Sequence, residues 1–82
     1  MSEVEVAPRI VINDAVHPGR PIVKGTRIPV SLVLGSLSSG MTMAQISAEY
    51  DLTEEDIRAA IDYARNLVDQ ETVYPLPVSA AS

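Results

Sequence analysis

Cysteine is absent from this chain, and histidine occurs once, at His17. The first absence removes disulfide staples, and the two together remove the Cys/His clusters that hold structural zinc, so the fold must rest on packing alone. The chain also lacks an apolar run of about 18 residues, the length that would cross a bilayer. Its opening Met1-Ser2-Glu3-Val4-Glu5-Val6 has neither the basic start nor the apolar stretch of a secretory leader, so the expected location is cytoplasmic, with no membrane contact. Positive charge is scarce: six Lys and Arg face eleven Asp and Glu, a net charge of −5 at pH 7. That balance argues against a general nucleic-acid coat, because phosphate contacts supply most non-specific affinity.

The 82 residues are 46% hydrophobic and 21% charged, the make-up of one ordinary soluble domain. A domain this small buries only about 60% of the surface its unfolded chain exposes, a thin margin that dimerisation would widen. The basic residues are unevenly placed. Arg9, Arg20, Lys24 and Arg27 lie between Pro8 and Pro29 against Asp14 alone, whereas from Thr42 onward eight acids face Arg58 and Arg65.

Residues 1–7 alternate polar and apolar without an anchor and read as a flexible N-terminus. Arg9-Ile10-Val11-Ile12, ended by Asn13-Asp14, is the first expected strand. His17-Pro18-Gly19-Arg20-Pro21 is a strong turn signal before a second apolar pair, Ile22-Val23. A two-stranded hairpin is marginal in water, so these arm strands are expected to pair with a second copy or to lie on helices.

Gly25-Thr26 reads as a turn and Pro29 as the entry to a helix from about Val30 to Ser39, with Val30, Val33, Leu34 and Leu37 on one face and Gly40 as its stop. Leu32 points off this stripe, and Gly35 sits mid-helix at a cost of about 1 kcal/mol relative to alanine. Either the glycine is tolerated beside an exposed leucine, or another backbone, such as a second subunit, approaches closely; Leu32 and Gly35 are therefore candidate partner-binding residues. Thr42 and Gln45 form a capping box that opens a helix over Met43 to Tyr50, and Thr53 with Asp56 opens a longer one over about 54–70. The longer helix carries the stripe Ile57, Ala60, Ile61, Ala64 and Leu67 or Val68. Pro75 bars any continuation, and residues 72–82 read as an extended or disordered tail behind a single domain of residues 8–71.

Two capped helices joined by Asp51-Leu52-Thr53, with Ile46, Tyr50, Leu52, Ile57 and Ile61 facing inward, match the packing pattern of a helix-turn-helix or of a generic three-helix bundle. Aspartate at position 51 is one of the few residues besides glycine that enters the left-handed region at modest cost. The exposed start of the last helix carries Glu54, Glu55, Asp56, Arg58 and Asp62. Carboxylates brought against phosphate cost about 1 kcal/mol or more each at an effective dielectric near 20, whereas at a helix start they act as caps and dipole partners.

Any DNA contact would therefore fall to Arg9, Arg20, Lys24, Thr26 and Arg27 in the arm, with Arg58 beside them. The competing reading pairs these bases with the acids of the helical half, Arg27 being the first candidate for a structural role. Catalytic chemistry finds little footing. His17 lies in a Pro-Gly turn with Asp14 nearby and no nucleophile is in view, so no catalytic residue and no cofactor or small-molecule substrate is expected. Glu54, Glu55 and Asp56 diverge around a helix, which leaves no metal site.

The order Pro8-Arg9-Ile10-Val11-Ile12, Gly19-Arg20-Pro21-Ile22-Val23-Lys24-Gly25-Thr26-Arg27-Ile28-Pro29-Val30, Gly40-Met41-Thr42, Tyr50-Asp51-Leu52-Thr53 and Asp56-Ile57-Arg58-Ala59-Ala60 resembles domain-of-unknown-function family 433 over about residues 8–68. Gly-Thr-Arg-Ile-Pro-Val is the most specific mark; Arg20 stands where a second glycine is frequent. The resemblance implies a mainly α fold, a homeodomain-like three-helix bundle with a short N-terminal β hairpin or arm, swapped or paired across a dimer. It also implies antitoxins of the VapB type that bind PIN-type ribonuclease toxins. In an antitoxin, Val73, Tyr74, Leu76 and Val78 of the tail would be partner-binding residues. The alternatives are a stand-alone DNA-binding transcriptional regulator and an adaptor with no nucleic-acid contact.

Overall fold

In the computed structural model, which describes residues 3–70, the expected flexible start is instead a strand. Glu3–Ala7 forms β1. Its alternation of Glu and Val has no anchor of its own, and the partner strand supplies one. β1 pairs antiparallel with β2 (Ile10–Asn13), Glu3 opposite Asn13 and Glu5 opposite Val11, with an irregularity between Glu5 and Ala7. β2 pairs antiparallel with β3 (Pro21–Val23), Ile10 opposite Val23 and Val11 opposite Ile22. The sheet order is β1-β2-β3, so the strands find partners within the chain and need no second copy to do so. A third strand lifts the sheet above the two-stranded limit that made dimer pairing attractive. With strands of 5, 4 and 3 residues beside helices of 9, 8 and 17, the arm is a sheet in its own right, and the expected mainly α description understates it.

The chain between β2 and β3 is tied by short local bonds. The Asn13 carbonyl accepts the amides of Val16 and His17, the Asp14 carboxylate accepts that of Gly19, and Gly19 takes φ +72. Asp14 and His17 thus serve a turn. After β3 come α1 (Val30–Ser38), α2 (Met43–Tyr50) and α3 (Glu54–Gln70). Pro29, extended, precedes α1, and Gly40 at φ +106 follows its end, so the left-handed exit needs no side chain. The box at α2 is complete: the Gln45 amide donates to the Thr42 hydroxyl and the Thr42 amide to the Gln45 side chain. Asp51 closes α2 in the left-handed region (φ 57, ψ 45), and the Ser47 hydroxyl donates to the Leu52 carbonyl, binding the turn to the helix before it.

One core joins the two halves. Ile10 and Val23 from the sheet meet Val30 and Val33 of α1, Ile46 of α2, Leu52 of the turn, and Ile57 and Ala60 of α3. Ile61, expected inside, is 38% exposed. It lies about 100° round the helix from Ala60, and the packed line continues through half-buried Tyr63 instead. No helix among the described residues is long and apolar enough to cross a membrane.

On α1, Leu32 is exposed as expected, and Gly35 faces open space, with nothing within 4 Å of where a Cβ would stand. Among the described residues no other segment's backbone approaches it. Gly35→Ala should therefore stabilise the isolated protein by about 0.5–1 kcal/mol through helix propensity, read as a raised midpoint in chemical denaturation.

Candidate functional site

The segment Gly25 to Val30 is the hinge between sheet and helices, and its side chains are spent on that task. Gly25 has φ +80. The Thr26 hydroxyl donates to the Val23 carbonyl at 2.8 Å and accepts the Ile28 amide at 3.0 Å, which makes Thr26 a turn-former with no spare group for a phosphate. The Val23 amide reaches the Ile28 carbonyl at 2.9 Å, and Pro29 bridges to Ile22. Arg27 alone of this run is not so used: it is exposed, with no side-chain hydrogen bond or ion pair among the described residues, where a structural role was expected.

The structural arginine is Arg9. It occupies the tight turn between β1 and β2 at φ 69, a conformation costly for a side chain of its size. Every part of it is held. Its amide donates to the Glu5 carboxylate at 3.3 Å, its carbonyl accepts the Lys24 amide at 2.8 Å, and its guanidinium reaches across to α3. There it donates to Asp56 at 2.9 Å and to Glu55 at 2.6 Å. Asp56 is also the cap of α3: its carboxylate accepts the Thr53 amide and its own amide donates to the Thr53 hydroxyl. Burial acts to raise the Asp56 pKa, but the Thr53 amide and the Arg9 guanidinium outweigh it and hold the group below the ordinary aspartate value.

The remaining bases divide clearly. Lys24 faces Glu5 at 3.7 Å, Arg58 faces Glu54 at 3.6 Å, and Arg65 faces Asp62 and Asp69 at 3.0 and 3.3 Å. Arg20, exposed, donates to the Ser31 hydroxyl at 2.7 Å. Of the six residues that sequence placed against DNA, Arg9, Lys24 and Arg58 are in ion pairs and Thr26 is in a turn. Arg20 and Arg27 keep their charge free of carboxylates among the described residues.

A different surface comes from α3 and was only partly visible in its stripe. Leu67 and Val68 leave the core at 44% and 63% exposure, and Val6 of β1, also exposed, lines one cleft with Leu67. Two clefts share Tyr63 and Leu67 as their common wall. One, of about 540 Å³, runs toward β1 and is bounded by Val6, Ala7, Asn66, Asp69 and Gln70. The other, of about 170 Å³, opens toward α1 and β3 and is bounded by Arg20, Pro21, Ser31, Leu34 and Ala64. The helix periodicity marked Leu67 as core; β1 was needed to see that it forms the crest between two depressions. Leu32 and Gly35 line neither cleft. Val73, Tyr74, Leu76 and Val78 lie outside the described residues.

A family model described as a protein of unknown function (DUF433) matches residues 10–64, from β2 into the second half of α3. No curated protein matches, and no solved structure does.

Two outcomes follow from the Arg9 bridge. Arg9→Ala, which keeps the left-handed strain and loses the ion pairs, should destabilise by roughly 1–2 kcal/mol, and Arg9→Gly by about 1 kcal/mol less, measured by urea denaturation. Because the folded Asp56 pKa lies below its unfolded value, the carboxylate stabilises above the unfolded pKa and that contribution is lost as pH falls through the folded one. Thermal midpoints measured below about pH 4 should fall more steeply in the wild-type protein than in Asp56→Asn.

Proposed function

The chain belongs to the family described as a protein of unknown function (DUF433), and on that premise we propose that it is a non-enzymatic, antitoxin-like binding protein whose partner is a PIN-type ribonuclease. The observation that carries this reading is the crest of half-buried Tyr63 and exposed Leu67 between two clefts, on an acidic chain whose bases are largely paired internally. A ribonuclease must attract a polyanion and therefore presents positive potential around its channel. A partner of charge −5 with an apolar crest is complementary to such a surface, the charge steering encounter and the crest holding the complex.

The same features weigh against α3 as a reader of DNA. Its first turn presents Glu54, Glu55 and Asp56, and the two cations that reach that turn are committed to it, Arg9 to Glu55 and Asp56 and Arg58 to Glu54. The homeodomain-like helices serve in this reading as a scaffold for the crest. A second reading, autoregulation through DNA or a stand-alone regulator, is favoured only by Arg20 and Arg27, two charges per chain and four in a dimer.

The test is titration calorimetry of the purified protein with a purified PIN-type ribonuclease from the same genome, at low and high salt. A stoichiometric complex that weakens with salt, that RNA displaces, and that Leu67→Asp weakens by at least about tenfold is expected. Leu67 is 44% exposed, so the variant should keep its fold, checked by circular dichroism. No heat of binding, combined with an operator shift abolished by reversing Arg20 and Arg27, would overturn the antitoxin reading in favour of the regulator.

A further inference from the structure

The smaller cleft, between α1, β3 and the second half of α3, differs in charge from the rest of the chain. The protein carries a net charge of −5, yet among the described residues no carboxylate lines this cleft, and its one charge is Arg20. The larger cleft, by contrast, has Asp69 in its wall. Around Arg20 the lining is mostly apolar, with Pro21, Val30, Leu34, Ala64 and Leu67.

Arg20 is held at both ends. Its amide donates to the His17 carbonyl at 3.1 Å, and the next residue, Pro21, opens β3. Its guanidinium Nη2 donates to the Ser31 hydroxyl oxygen at 2.7 Å. That bond uses one of several guanidinium donors, and the others meet no acceptor among the described residues. The Ser31 hydroxyl accepts in this bond, so its own hydrogen is still available. A guanidinium fork matches the two oxygens of a carboxylate. A phosphate dianion asks for more cation than one arginine supplies, on a chain whose remaining charge repels it.

The size of the cleft sets the rest of the ligand. Its volume is about 170 Å³. An apolar cavity of about 150 Å³ takes a benzene molecule. We propose that this cleft binds small monocarboxylates whose apolar body is about one aromatic ring, with the carboxylate on Arg20 and Ser31 and the ring against Leu34, Ala64 and Leu67. An exposed ion pair is worth little by itself, so the apolar wall supplies the hold and the guanidinium the selection.

The experiment is an NMR titration of the isotope-labelled full chain with no protein partner present, so its failure leaves the ribonuclease reading untouched. Phenylacetate is the probe; phenylacetamide, its neutral isostere, and acetate, which lacks the ring, are the controls. Phenylacetate should shift the amides of Ser31, Leu34, Ala64 and Leu67 with a Kd on the order of 1 mM, and each control should bind at least about tenfold more weakly. Arg20→Gln should bring phenylacetate down to the level of phenylacetamide. Arg20→Lys should recover only part of the difference, because an ammonium keeps the charge without the fork. Ala64→Met, which fills the cleft, should abolish the shifts from both ring compounds, with the amides of Ile46 and Ile57 reporting that each variant is folded. Equal affinity for phenylacetate and phenylacetamide would overturn the proposal, as would the absence of any shift at the cleft amides. Acetate binding as well as phenylacetate leaves an adventitious ion only and overturns it too. Cleft amides that move on dilution of the free protein assign the surface to a second copy, with the same result.

Discussion

The contact between the Arg9 guanidinium and the first turn of α3 is the hinge of the whole arrangement. The sheet and the helices are each small, and a short chain has little apolar surface with which to hold them together. Arg9 joins them at a point where both ends have other reasons to stay in place. On the sheet side it sits in a turn whose amide and carbonyl are tied to Glu5 and Lys24; on the helix side Asp56 is already engaged as the cap of α3. An exposed ion pair is worth little when both side chains must be ordered to form it. Here Asp56 is ordered by capping and shielded to 14% side-chain exposure, so the attraction is not spent on immobilising it.

The same bridge reorganises the electrostatics of the molecule. A basic arm followed by an acidic helical half looks, as a linear string, like two poles. Folding brings them face to face at Arg9 and pairs exposed Lys24, just after β3, with Glu5 of β1. What stays unpaired among the described residues is an excess of carboxylate and two arginines, Arg20 and Arg27.

Much of the helical half was legible in the sequence because its signals are local. Thr42 with Gln45, Asp51 in the left-handed region, and Thr53 with Asp56 each act over four residues or fewer, and α2 begins and ends, and α3 begins, where those residues place them. β1 was not legible, since Glu3 to Ala7 owe their strand conformation to a partner and carry no signal beyond alternation. Ile61 was misjudged because it stands about 100° round α3 from Ala60, off the packed line, and Leu67 because periodicity identifies an apolar stripe while the lengths of the neighbouring helices decide how much of it they cover. α3 has 17 residues against 9 and 8 in its neighbours, so its second half outruns them. The roles of Arg9 and Arg27 were reversed because an ion pair 46 residues apart in sequence leaves no trace in local spacing.

The bridge between Ile22 and Pro29 has a consequence for assembly. It lies along the side of β3 away from β2, with the Val23 amide bound to the Ile28 carbonyl beside it, and Pro29 has no amide to offer a newcomer. A filament built by adding sheet to sheet needs two sticky ends on every unit, one to receive and one to donate. Among the described residues this sheet has one, the outer edge of β1. A sheet with one such end is monovalent for strand addition, so joining along that edge stops after a single step and cannot propagate into a filament.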